Sequence, residues 1–279
     1  MKKILLVDGS NLLFQMFYGM PSVIIGKKGR PIQGTLGFVG GLLRMIRMVH
    51  PSHVAVFFDG EHHNDRTDLS PEYKANRPDY ANIPEEDTPF SQLMDIYAAL
   101  DLMGIVHKET EVCEADDWLA GYSYICPDDG ELVISSGDSD LFQLINDRVK
   151  ILRYRGDNSV ICDREYVINK LGVPPERYAE YKALTGDSSD NIRGCDKVGP
   201  KTAAALVSQF ASLDEMIDDA DKIAKPSVRA SVKACAERIR LNYNLIKLDY
   251  NFELPFSFDE MKYSEKDLTT RKVLDEIGV

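Results

Sequence analysis

The chain has 279 residues, 44% of them hydrophobic, so it can bury one or two ordinary globular cores and is not a disordered protein. No run of residues approaches the roughly 20 consecutive apolar positions of a membrane helix, and the five scattered cysteines suggest neither a disulfide framework nor a CxxC zinc site. We therefore expect a soluble, cytoplasmic protein with reduced cysteines. The net charge of −12 argues at first against a nucleic-acid partner, because phosphate binding normally requires a basic surface.

Three short apolar segments that end in or precede acidic residues predict strands of one sheet. Lys3 to Asp8 is the first, and Val54 to Asp59 follows a predicted helix from Thr35 to His50. The third, Glu131 to Ser135, precedes Gly137-Asp138-Ser139-Asp140. Functional sites of open α/β sheets lie at the carboxyl ends of the strands, so the pattern predicts an α/β fold with an acidic site along that edge.

The remaining segments predict two further helices, an insertion and a second region. Helical spacing covers Ser91 to Met103 and Glu114 to Tyr124, and a strand can begin at Ile105. The polar, proline-rich segment from Gly60 to Pro89 is longer than an ordinary connection, and such insertions are usually functional or disordered. From Glu165 onward the pattern is helical. We expect an α/β domain over residues 1–164, with an insertion at about 60–90, and a helical region over 165–279.

Carboxylates cluster at several separate places along the chain. The cluster Glu114-Ala115-Asp116-Asp117 taken alone also fits the ordinary preference for acids at a helix N-terminus. Similar clusters recur at 137–140 and 186–191, and gathered carboxylates repel one another unless cations lie between them. Oxygen ligands without paired Cys or His favour Mg²⁺ or Mn²⁺. Two such ions indicate phosphodiester hydrolysis rather than glycoside hydrolysis.

Seven short motifs occur in the order known from one nuclease family. They are VDGSN at 7–11, FFDG at 57–60, EYKANRP at 72–78, EADD at 114–117, SGDSD at 136–140, TGDSSDNIRG at 185–194 and VGPKTA at 198–203. In this the chain resembles the 5′-nuclease family, which includes flap endonucleases, bacteriophage 5′-exonucleases and the 5′-nuclease domain of bacterial DNA polymerase I.

The resemblance implies a PIN-like, open and mostly parallel sheet with flanking helices, a helical-arch insertion and a C-terminal region like a helix-hairpin-helix at about 185–210. It also implies a complete set of ligands for two Mg²⁺ ions, for which Mn²⁺ can substitute. The nine positions that match the family's metal carboxylates are Asp8, Asp59, Glu114, Asp116, Asp117, Asp138, Asp140, Asp187 and Asp190.

Basic residues in the insertion are candidates for contacts to the reacting phosphate. If the segment from Pro71 is helical, Lys74 and Arg77 share a face with Tyr73, although a solvated surface patch fits the spacing equally well. The resemblance assigns Lys74 and Arg77 to catalysis and Tyr73 to DNA binding, with Lys74 as our first choice for stabilising the transition state. The family commonly has an arginine where this chain has Gln15, so we expect Lys74 and Arg77 to carry more of that charge.

The second region contains candidate contacts to duplex DNA. Glycines between two helices let backbone amides approach a phosphate, although an ordinary packing corner has the same spacing. The resemblance identifies a helix-hairpin-helix-like element that grips the backbone and coordinates K⁺ in relatives. The expected DNA contacts here are Lys182, Gly194, Gly199, Lys201 and Thr202.

The sequence thus predicts a stand-alone, monomeric, Mg²⁺-dependent 5′-3′ exonuclease and flap endonuclease of replication or repair. Its expected substrates are DNA with 5′ flaps, nicks or free 5′ ends, with RNA–DNA hybrids and RNA primers as further candidates, and no membrane is involved. Two alternatives remain at this point, a PIN-like ribonuclease and a catalytically silent module that binds DNA structures.

Overall fold

The computed structural model describes residues 2–60, 65–78 and 80–279, and within them six strands form one open sheet. The strands lie in the order β3-β2-β1-β4-β5-β6; all neighbours are parallel except the β5–β6 pair. Their bounds are β1 (Lys2–Asp8), β2 (His53–Phe58), β3 (Val106–Glu109), β4 (Gly130–Ser135), β5 (Val149–Arg153) and β6 (Val160–Cys162). The predicted mostly parallel α/β sheet is confirmed.

Helices cover both faces of this sheet, which explains why its central strands are apolar without alternation. Ile4 and Leu6 face one buried core, while Leu5 and Val7 face the other. The helices of this part are α1 (Gly9–Gly19), α2 (Gln33–Val49), α3 (Asp65–Leu69), α4 (Leu93–Met103), α5 (Ala115–Tyr124) and α6 (Arg164–Leu171). Short 3-10 helices cover Tyr80–Asn82, Glu85–Asp87, Pro89–Gln92 and Asp140–Leu144.

The insertion between β2 and α4 differs from the expected helix at residues 71–78. Residues 71–77 form successive turns, and Lys74 has a left-handed backbone with φ of 57°. A right-handed helix cannot continue through that conformation, so the condition under which Lys74 and Arg77 would share a helical face with Tyr73 is not met. Residues 61–64 and 79 of the expected arch lie outside the described residues.

A second group of helices has its own core. It comprises α7 (Tyr178–Thr185), α8 (Pro200–Gln209), α9 (Leu213–Asp218), α10 (Pro226–Ala234) and α11 (Ala236–Ile246), with 3-10 helices at Pro175–Arg177 and Ala220–Lys222. A small antiparallel hairpin of β7 (Gly186–Asp187) and β8 (Ile192–Arg193) connects α7 to α8. Nowhere in the described ranges is there a helix with the length and apolar character that crossing a membrane requires.

The C-terminal residues return to the α/β layer. Leu248 and Met261 belong to the core on one face of the sheet, and the Val54 amide donates to the Met261 carbonyl over 2.8 Å. The last helix, α12 (Thr270–Ile277), packs against α2 and α4. The expected division at 164/165 therefore does not describe the packing of residues 248–279, because the apolar side chains of this stretch complete the sheet's cores.

Two cysteines that lie far apart in sequence form a disulfide. Cys195 follows the hairpin and Cys235 lies between α10 and α11, with 6.1 Å between their Cα atoms. Cys113, Cys126 and Cys162 are free and buried. The expectation that all five cysteines are reduced was wrong for the Cys195–Cys235 pair, since pairing across 40 residues leaves no signal in the spacing.

We predict that breaking this disulfide lowers the stability of the helical region. A double substitution, C195A/C235A, should reduce the free energy of unfolding by about 2–4 kcal/mol, because the bond constrains a long loop of the unfolded chain. Urea unfolding of the parent with and without reductant measures the effect, and the double variant should not respond to reductant. Two free thiols at these positions in non-reduced parent protein would contradict the pairing.

Candidate active site at the carboxyl edge of the sheet

Acidic residues lie where the central strands end. Asp8 is the last residue of β1, Asp59 follows β2 and Asp138 follows β4, so the parallel sheet brings the three to one edge. Asp8 is fixed by two hydrogen bonds: Asn11 donates its backbone amide to Oδ1 over 2.9 Å and Ser136 donates Oγ to Oδ2 over 2.7 Å. The strand-end pattern therefore correctly predicted that these acids lie at one edge of the sheet.

The first turn of α5 adds carboxylates to the same edge. Ala115 donates its backbone amide to Asp59 Oδ1 over 2.9 Å, which joins the start of this helix to the end of β2. Asp116, one residue further on, lies within electrostatic range of Asp8, Asp59 and Asp138. We call the five residues that share this environment the acidic edge. They are Asp8, Asp59, Asp116, Asp138 and Asp140.

Mutual repulsion and burial raise several pKa values in the acidic edge. Burial and then the charge of Asp59 raise the pKa of Asp8 to about 7. Burial and then Asp138 raise the pKa of Asp140 to about 8. Burial, with Asp8 and Asp138, raises the pKa of Asp116 well above its ordinary value. The edge therefore carries more negative charge than its surroundings compensate, which is the environment that a hard divalent cation relieves.

The other four predicted carboxylates are held by basic side chains. Arg66 is buried and donates to Glu114 Oε2 over 2.7 Å and to both oxygens of Asp117 over 2.6 and 3.0 Å. Lys74 Nζ lies 2.5 Å from Glu114 Oε1. Although burial would raise the pKa of Glu114, the charges of Lys74 and Arg66 lower it below its ordinary value.

A similar arrangement holds the hairpin of β7 and β8, whose residues 186–193 we call the site hairpin. Lys182 forms an ion pair with Asp187, and Arg77 Nη2 lies 3.0 Å from Asp190 Oδ1. Although burial would raise the pKa of Asp187, hydrogen bonds from Lys182 and Ser189 lower it. Both aspartates lie within electrostatic range of Asp138 and Asp140, so the site hairpin extends the acidic edge.

The nine carboxylates are thus brought to one region but in different roles. Asp117 is buried, and both of its oxygens accept from Arg66, while the Asp249 amide adds a bond of 3.0 Å. In the described ranges, no three or more His, Cys, Asp or Glu side chains are arranged so that they could hold a metal ion as they stand. The donor chemistry of the acidic edge fits Mg²⁺ or Mn²⁺, and ligation would require side-chain adjustment.

Three of the expected DNA contacts have different surroundings from those predicted. Tyr73 is buried against Ala179 and Ile192 and donates its hydroxyl to Glu114 over 3.3 Å, so it is not on an exposed face. Lys182 is turned into the site by its pairing with Asp187. A Cβ atom on Gly194 would lie 2.3 Å from the Thr185 carbonyl oxygen, so close packing accounts for this glycine.

The start of α8 keeps the exposure that the sequence predicted. Gly199 is the N-cap of this helix, Pro200 occupies its first turn, and Gly199 and Lys201 are exposed. Thr202 is partly exposed in the same turn. Free amides at a helix N-terminus together with a lysine form an anion-binding arrangement.

Sequence reasoning missed residues whose contacts are distant along the chain. Arg66 lies 48 residues from Glu114, and its position in the insertion gave no sign of the pairing. Tyr178 donates its hydroxyl to Asp140 Oδ1 over 3.1 Å, and it was not among the predicted site residues. Gln15 donates Nε2 to the Tyr154 carbonyl over 2.8 Å, so this amide is used to join α1 to the residue after β5.

The fold and the acidic edge define an α/β protein with a nuclease-like site, and comparisons give its family. Residues 3–172 match the model of the 5′-3′ exonuclease N-terminal resolvase-like domain, and residues 173–269 match that of the 5′-3′ exonuclease C-terminal SAM fold. The chain therefore belongs to the 5′-3′ exonuclease family.

Relatives and solved structures agree with this membership. A 5′-3′ exonuclease of Aquifex aeolicus is 30% identical over 98% of this chain and 90% of its own length. A thermostable DNA polymerase I of Thermus filiformis is 33% identical over 99% of this chain, which spans only 32% of that relative. The fold is similar to that of the T5 D15 protein co-crystallized with metal ions, with a TM-score of 0.70, 22% identity, and coverage of 88% of this chain and 89% of that one.

We predict that the metal-free protein becomes less stable as the pH rises from about 5 to about 8. Folded Asp8 and Asp140 keep their protons up to a pKa of about 7 and about 8, whereas unfolded aspartates titrate near 3.9. The folded state therefore binds more protons in this window, and its advantage is lost as they dissociate. Urea midpoints measured in chelator would show this decline.

The matched control for that prediction is D8N/D140N, whose midpoint should vary less with pH. A parental midpoint that rises between about pH 5 and pH 8 would contradict the raised pKa values.

Proposed function

We propose that the chain is a structure-specific 5′-nuclease that hydrolyses DNA phosphodiesters near single-strand/double-strand junctions with the help of two divalent cations. The observation that carries this proposal is the acidic edge, where five carboxylates lie together and burial and mutual repulsion raise the pKa values of Asp8, Asp116 and Asp140 beside Lys74 and Arg77. Such a cluster is costly to the fold and is most simply explained by cation binding. Family membership supports both 5′-3′ exonuclease and flap endonuclease activity.

In this proposal eight of the nine acids hold ions, in two groups that share Asp138. Asp8, Asp59, Asp116 and Asp138 would hold one ion with Glu114, and Asp138, Asp140, Asp187 and Asp190 would hold the other. Bound divalent cations supply the charge that activates a water and stabilises the leaving oxygen in phosphodiester hydrolysis. Asp117 would act by fixing Arg66 and the start of α5. We propose Mg²⁺ as the natural ion, with Mn²⁺ as a substitute, because all of the proposed donors are carboxylate oxygens.

The chain's own cations would bind the reacting phosphate. Lys74 and Arg77 lie against Glu114 and Asp190, at the border between the acidic edge and solvent. When these carboxylates turn to a metal ion, the two basic side chains become available to the phosphate oxygens and can stabilise charge in the transition state. Gln15 supplies no charge of its own, so Lys74 and Arg77 carry the larger share.

The start of α8 would hold the duplex next to the cleaved junction. Its exposed amides, Lys201 and Thr202 can contact a phosphate without reading the sequence. We also propose that K⁺ binds at the turn that precedes α8. Carbonyls of Arg193 and Asp196 already accept bonds from Asn242 and Ser231, and each keeps a second lone pair for an ion.

The proposed products are a 5′-phosphate and a 3′-hydroxyl, and the proposed setting is replication or repair, including removal of RNA primers. We propose that the protein acts as a monomer on 5′ flaps, nicks and free 5′ ends. RNA–DNA hybrids are further candidate substrates.

A cleavage assay tests the function directly. A duplex with a labelled 5′ flap, incubated with Mg²⁺ or with chelator, should be cut near the junction only when Mg²⁺ is present, and D138N should abolish the reaction. A matched single-stranded RNA substrate should be cut far more slowly. Preferred cutting of RNA would favour a PIN-like ribonuclease, and tight flap binding without cleavage would favour a silent binding module.

We also predict a large loss of turnover when Lys74 is removed. K74A should lower the single-turnover rate at saturating flap DNA by about 100-fold or more, because it removes a charge that acts in the transition state. K201A should mainly weaken DNA binding, so its single-turnover rate should reach the parental rate at high DNA concentration. Near-parental cleavage by K74A at saturating DNA would show that another group supplies this charge.

A further inference from the structure

The insertion is fastened to the site hairpin by contacts that the reaction scheme does not use. The arch turn, which we define as residues 70–77, lies against residues 188–192 of the site hairpin. The Lys74 backbone amide donates to the Asp190 carbonyl over 3.0 Å. Asn191 donates Nδ2 to the Glu72 carbonyl over 2.8 Å, and Asn76 donates Nδ2 to the Ser188 carbonyl over 3.0 Å.

These bonds cross between two segments that lie more than 100 residues apart. They lie beside the apolar contact of Tyr73 with Ile192 and the ion pair of Arg77 with Asp190. We call this contact between the arch turn and the site hairpin the joint. It combines a small apolar core, one backbone hydrogen bond, two hydrogen bonds from side-chain amides and one ion pair. The arch turn carries Lys74 and Arg77 of the proposed site, and the site hairpin carries Asp187 and Asp190.

Each side of the joint contains one residue with a left-handed backbone. Lys74 and Asn191 are both left-handed, with φ of 57° and 58°. Asparagine tolerates this region better than most residues, whereas lysine pays a cost that its contacts must offset. The left-handed turn at Asn191 goes together with two contacts to the arch turn, from the Asp190 carbonyl and from its own amide group.

We propose that Asn191 is a positioning residue that, together with Asn76, holds the arch turn on the site hairpin, so that Lys74 and Arg77 keep a fixed relation to Asp187 and Asp190. This inference rests on the proposed function, because it assigns Asn191 an effect on turnover that is exerted through Lys74 and Arg77. Asn191 contacts neither the substrate nor an ion in this assignment.

The test compares N191G with the parent. Glycine keeps the left-handed backbone and removes only the side chain and its bond to Glu72. An exposed neutral hydrogen bond corresponds to about a 3- to 10-fold change in rate. We therefore expect the single-turnover rate at saturating flap DNA to fall by about that factor, with little change in DNA affinity.

A double-mutant cycle separates positioning from a general structural effect. In a K74A/R77A background, N191G should lower the rate no further, because both groups that it positions are already absent. H50G is the matched control, since His50 is also left-handed, with φ of 51°, but caps α2 away from the joint. Effects of N191G and K74A/R77A that multiply independently would overturn the proposal.

Amide hydrogen exchange supplies a readout that needs no activity. Peptides covering residues 70–77 should exchange faster in N191G and in N76A than in the parent or H50G, because the Lys74 amide loses its fixed partner. Unchanged exchange in both variants would refute the joint itself. If the two variants exchange faster but the parent cleaves no flap DNA, the joint is supported and the proposed nuclease function is refuted.

Discussion

Electrostatic repulsion among carboxylates at one edge of the sheet is the constraint on which the site depends. Parallel strands end at the same edge, so Asp8, Asp59 and Asp138 meet there whatever their separation along the chain. Two unit charges about 4 Å apart repel by roughly 4 kcal/mol at an effective dielectric of 20. The protein tolerates this by keeping protons on some acids, which appears as the raised pKa values of Asp8 and Asp140.

Basic side chains balance the acids that surround this edge, and they come from outside the sheet. Arg66 and Lys74 reach Glu114 from the insertion, and Lys182 reaches Asp187 from α7. Protein cations therefore neutralise the outer acids, while the inner ones remain protonated or repel each other. A metal ion would reverse this balance, because it favours the ionised acids and competes with Lys74 and Arg77 for the outer carboxylates.

Features that depend on neighbouring residues could be predicted from the sequence, whereas features that depend on contacts between distant residues could not. Strands that end in or precede acids are a local pattern, so the sheet and its acidic edge could be predicted from three such segments, which lead to Asp8, Asp59 and Asp138. The left-handed backbone of Lys74 could not, because it goes together with the bond between its amide and Asp190, more than 100 residues away. The burial of Tyr73 and the Cys195–Cys235 pairing likewise arise only when distant helices pack together.

Gln15 makes a structural contact at the position where the family resemblance led us to expect an arginine. Its amide donates to the Tyr154 carbonyl, which fastens α1 to the end of β5 across the carboxyl edge of the sheet. An arginine could carry charge towards a phosphate from this helix, whereas a neutral amide contributes only to local packing and hydrogen bonding. In the proposed reaction, the positive charge near the phosphate would come mainly from the arch turn. Its attachment to the site hairpin, rather than the position of α1, would then determine where that charge lies.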